Sequence, residues 1–68
     1  MTPLEVLTAM RDTAIAREAL QLASVRNALD TAADYNPAFS AAAANAVREL
    51  LDTRRYIAGL NTLLEELA

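Results

Sequence analysis

In the second half of this chain, Ala43, Leu50, Ile57 and Leu64 recur every seven residues, and Ala46, Thr53, Leu60 and Leu67 fill the positions three further on. A repeat of this period holds one stripe of a helix against a neighbouring helix, whereas a strand would alternate every second residue. Nothing in the segment breaks the pattern, because Gly59 is the only glycine of the chain and both prolines lie before it. The small members of the seam come first and the large ones last. Close approach is therefore expected at the start of this helix and wider spacing at its end. Tyr56 and Leu63 widen the stripe on one side and Val47 on the other.

The first half also reads as helix. Thr2 precedes Pro3, and Glu5 stands three residues after Thr2, the order of a capping box with proline at the first helical position. The Glu5 carboxylate is placed to reach back to the Thr2 amide. Helical periodicity then runs to about residue 31. In the middle, DTAADYNPAFS carries the break. Pro37 disfavours helical geometry at Asn36, which is a good cap for a second helix, with Ser40 as a competing cap. Asp30 and Asp34 stand one turn apart with the same sign, which weakens the end of the first helix. The reading is one all-α domain over residues 1–68, with a helix at about 3–31, a turn at about 32–37 and a helix at about 38–67. Two helices of about 30 residues, each ~45 Å long, joined by so short a turn fold back as an antiparallel αα-hairpin.

The apolar stripe of the first helix runs through Leu4, Leu7, Ile15, Leu22, Val25 and Leu29, and it is interrupted. At 100° per residue Arg11 and Glu18 fall in its middle. An unpaired buried charge is too costly to keep, so both must be paired or wet. Three arrangements meet that condition. The two side chains can snorkel to water over their aliphatic stems, they can meet each other around Ile15, or they can meet complementary charges on a partner and set register. A self-pair centred near Ala14 is one form of the last. The eight residues Leu4, Leu7, Arg11, Ile15, Glu18, Leu22, Val25 and Leu29 are therefore the expected partner interface. Leu50, Ile57, Leu60, Leu64 and Leu67 are the expected hairpin seam. Val6, Met10 and Leu20 form a second apolar patch on the first helix, and a helix with two apolar faces touches two neighbours.

Size sharpens that expectation. A lone core in a chain of 68 residues supplies no more than ~3–5 kcal/mol without a staple. There is no cysteine for a disulfide, and without cysteine or histidine a structural zinc site is not expected. Completion by a partner protein, or by self-association into a four-helix bundle, is the remaining route.

Composition also removes whole classes of function. Without His, Cys or Lys there is no Ser-His or Cys-His pair, no Schiff-base amine and no phosphate-gripping lysine, and one glycine makes no phosphate cradle. Glu65 and Glu66 are adjacent and point about 100° apart, which is a solvated helix end rather than a catalytic pair. A non-enzymatic protein without cofactor or metal is expected. The net charge of −3, with Arg54 and Arg55 as the only adjacent basic pair, gives no footprint for nucleic acid. No apolar run approaches a membrane span and Glu5 and Arg11 interrupt any signal-peptide pattern, so a cytoplasmic location is expected.

The opening MTPLEVL, the Asn-Pro turn and the closing RRYIAGLNTLLEEL are together similar to the short helical-hairpin co-chaperones of type III secretion needle subunits. Met1, Thr2, Leu4, Glu5 and Leu7, then Arg54, Gly59, Leu60 and Leu63, carry the resemblance. It implies a hairpin that packs against a tetratricopeptide-like chaperone and stabilises it, the pair keeping the needle subunit monomeric in the cytoplasm until export. The outer stripe of the first helix is then the docking face. Read from the residues alone, a homodimeric four-helix module, such as a small regulator or a phage-type inhibitor of a host protein, is the alternative.

Overall fold

The computed structural model describes residues 1–34 and 41–68, which form two α-helices, α1 (Pro3–Asp34) and α2 (Ala41–Leu67). The helices pack against each other and there is no strand among the described residues, so the chain is an all-α helical hairpin, as the heptads predict. It is long and thin, 49 × 16 × 12 Å. That length is what α1 alone dictates, since 32 residues at 1.5 Å per residue span about 48 Å.

The start of α1 is built by Thr2. Its carbonyl accepts the first helical hydrogen bond from the Val6 amide at 3.0 Å. Its hydroxyl accepts from the Glu5 amide at 3.2 Å and donates to Glu5 Oε1 at 3.1 Å. The capping box thus closes through the hydroxyl; the carboxylate engages that group rather than the Thr2 amide. At the other end α1 continues through Asp34, beyond the boundary expected near residue 31. Like charges one turn apart cost only a few tenths of a kcal/mol, and Ala32 in the last turn is buried, at 8% exposure. The rest of the expected turn, with Asn36, Pro37 and Ser40, lies outside the described residues, as does a helix start at residue 38.

Among the described residues the buried core is small. It consists of Ala14, Val25 and Ala32 from α1 and Ala43, Leu50 and Leu60 from α2, with no large side chain of the described residues wholly enclosed. Half of these residues contribute a single methyl group. Against them stand eleven exposed large hydrophobic residues among the described ones, spread from Met1 to Leu67. No helix among the described residues is long and apolar enough to cross a membrane.

Two substitutions test this packing. Gly59 is an exposed helical glycine where an added Cβ meets nothing within 4 Å. Gly59→Ala is expected to raise stability by about 0.5–1 kcal/mol, through helix propensity and a less free unfolded chain. Leu60, only 4% exposed, is the best-buried hydrophobic residue among the described ones, and Leu60→Ala is expected to cost about 2–4 kcal/mol. Urea unfolding followed by circular dichroism measures both. A loss on Gly59→Ala indicates that something packs against that face, and an unchanged Leu60→Ala midpoint refutes the core assignment.

Candidate interaction surfaces

Eight of the less exposed positions of α1 form one line, Leu7, Arg11, Ala14, Glu18, Gln21, Val25, Ala28 and Ala32, with half-buried Thr8 and Leu22 beside it. The eight alternate by four and three residues and so form their own heptad seam, the counterpart of the one in α2. The stripe read from the sequence coincides with it only in part. Leu7, Arg11, Glu18 and Val25 belong to both. Leu22 is half-buried beside the seam, whereas Leu4, Ile15 and Leu29 are exposed at 37%, 45% and 49%. The discrepancy has a simple source. One row of the true seam is Leu7, Ala14, Gln21 and Ala28, weak in hydrophobicity, while the row beside it contains Ile15, Leu22 and Leu29. Hydrophobicity follows the leucines. Packing follows the alanines, which let α2 approach closely.

Arg11 and Glu18 accordingly do not lie where the hairpin fails to cover them; both are half-buried on the inner face. Glu18 is paired neither with Arg11 nor with water alone but with α2 of its own chain: Arg54 Nε donates to Glu18 Oε2 at 3.1 Å. The Arg54 side chain is 50% exposed and that of Glu18 30% exposed, so the pair contributes about 0.2–1 kcal/mol. Its geometric effect is larger, because it fixes which turn of α2 lies beside which turn of α1. Arg11 reaches only its neighbour Asp12, at 3.5 Å. Arg11 Nε and Gln21 Oε1 are both enclosed without a hydrogen-bond partner. In α2, Leu50 and Leu60 are buried and Ile57 and Leu64 half-buried, as the heptads require. Leu67 is 55% exposed, because it occupies the final turn, where the seam runs out.

The two flanks of the hairpin are both apolar, and they differ in shape. One carries Ile15 and Leu29 of α1, with Leu51 of α2 further round, all exposed. The other is concave. Val6, Met10, Thr13 and Arg17 of α1 and Asp52 and Tyr56 of α2 line a groove of about 600 Å³, with Ala14 on its floor and Met1 at its end. The second apolar patch of α1 thus supplies Val6 and Met10 to a formed groove, while Leu20 stands outside it, 73% exposed. Arg17 and Asp52 take no part in an ion pair among the described residues. No group of three or more His, Cys, Asp or Glu residues that could hold a metal occurs among the described residues. The chemistry this surface offers is apolar packing, bordered by one cation and one anion.

Sequence reasoning missed Ala14, Gln21, Arg17, Asp52 and the role of Arg54. The one signal able to reveal the first two was the spacing from Leu7 to Ala32, which matches the repeat of α2 once alanine is counted as a packing residue. The unsatisfied atoms lead to a direct expectation. Arg11→Leu and Gln21→Leu each remove a polar group enclosed without a partner, and each is expected to raise stability by about 1–2 kcal/mol. Thermal unfolding decides this, and a fall in midpoint for either variant means that its polar group is satisfied in solution.

No protein-family model, no curated protein and no solved structure matches this chain.

Proposed function

We propose that this chain is a non-enzymatic protein–protein interaction module, a hairpin whose core is completed by helices of another molecule. One observation carries the reading. A core in which half of the buried residues are alanine leaves eleven large hydrophobic side chains exposed among the described residues, and they include residues on both flanks. Exposed apolar residues scattered singly need no explanation, but rows of them beside a groove mark a surface made to be covered. The residues of the groove serve packing and recognition: methionine adapts its shape to a neighbour, and tyrosine contributes area at little cost in conformational freedom.

In its specific form the resemblance makes the other molecule a tetratricopeptide-like chaperone, with the hairpin acting as a cytoplasmic co-chaperone for a secretion needle subunit. The exposed row of Ile15 and Leu29 is then the docking face of α1. A homodimeric module is the second form, and the arrangement of charge along the grooved flank favours it.

The chain expressed alone provides the test. At low micromolar concentration its unfolding free energy is expected to be no more than about 3–5 kcal/mol, and to rise when a partner is supplied by co-expression or by raising the concentration. A monomer that stays folded with well over that stability, and gains nothing from concentration or from co-expressed neighbours, refutes the interaction reading.

A further inference from the structure

The grooved flank carries its charges in a segregated pattern. Heptad spacing extends the α1 wall along two rows, Pro3, Met10, Arg17 and Ser24, and Val6, Thr13, Leu20 and Asn27. Arg17 is the only charged side chain among them. The α2 wall consists of the rows Ala42, Glu49, Tyr56 and Leu63, and Asn45, Asp52, Gly59 and Glu66. Every charge in those rows is acidic. One wall of the groove is thus cationic and the other anionic, and the two charges that border the cavity, Arg17 and Asp52, are unpaired with each other across it.

We infer that this flank is the contact surface for a second copy of the chain, which makes the grooved side the closed seam of a four-helix bundle. A two-fold axis along the hairpin lays α1 of each copy over α2 of the other, antiparallel. The cationic wall of one copy then meets the anionic wall of its mate, twice by symmetry, as an isologous interface demands. Met10 and Tyr56 of the two copies fill one another's grooves. The hairpin is open for its size: a compact monomer of 7.3 kDa exposes about 4,200 Å², whereas this chain exposes 5043 Å².

The inference rests on the interaction reading above and names the partner. Sedimentation equilibrium of the full chain from about 1 to 200 µM is the experiment, with helix content followed by circular dichroism. The expected result is a reversible monomer–dimer equilibrium. Arg17→Asp and Asp52→Arg are each expected to weaken it at least about tenfold, a loss that two repelling pairs per dimer readily produce. The double variant Arg17→Asp/Asp52→Arg is expected to restore it, because both walls are then exchanged together. Tyr56→Arg, exposed in the isolated hairpin, is expected to abolish the dimer while helix content in the monomer stays. A chain that remains monomeric across the range overturns the inference. If that monomer is still marginal and is stabilised by another protein, the interaction reading stands without a second copy; if it is stable by itself, both fall. A dimer indifferent to all these substitutions is built on the Ile15–Leu29 flank and overturns the inference as well.

Discussion

Close approach at alanine is the constraint from which the rest of this hairpin follows. Ala14, Ala32 and Ala43 are three of the six buried residues, and they let the two backbones come together where larger side chains would hold them apart. The gain is tight packing along one line. The cost is area, because an alanine removes far less apolar surface from water than a leucine does, and stabilisation scales with that area. The large apolar residues stand off the line, on the flanks, with Ile15, Leu29 and Leu51 on one side and Met10, Tyr56 and Leu63 on the other. The exposed surface of the molecule is thus the direct consequence of how its seam is made.

A seam of small residues is also permissive. Alanines offer little shape to stop one helix sliding past another by a heptad, and the polar residues of the inner face supply what the methyl groups lack. The Glu18–Arg54 hydrogen bond at 3.1 Å is lost on any such slip, leaving a half-buried carboxylate beside apolar side chains. Specificity of this kind is bought with stability, as in coiled coils that keep a polar residue in the core. Arg11 and Gln21 show the same trade with less return, since each encloses an atom that finds no partner.

The fold was legible because it depends on quantities that a sequence states directly: the seven-residue repeat of Ala43 to Leu67, the Thr2–Glu5 cap, and the near absence of glycine. The surface was less so. Hydrophobicity alone cannot separate a leucine that packs from a leucine that waits beside the packing line, which is why Ile15 and Leu29 were grouped with Val25. The partner of Glu18 was hidden for a different reason. Arg54 is thirty-six residues away, and only the register of the two helices, a property of the folded hairpin, brings it alongside. The groove depends on the same register, since Val6 and Met10 were visible as a patch, and Tyr56 as a widening, but not as two walls of one cavity.

The two apolar flanks have unequal consequences for assembly. Were both equally able to bind a further copy, hairpins would add side by side without limit, because a face that binds a different face does not close unless the rotation does. The concave flank escapes this by its charge. Its walls carry opposite sign, so a two-fold mate satisfies both at once and leaves no grooved surface for a third copy. On the flank of Ile15 and Leu29 the neighbouring Arg54 is already engaged by Glu18. In the proposed pair, closing the grooved sides against each other leaves the flanks of Ile15 and Leu29 on the outside, where their apolar side chains stay uncovered.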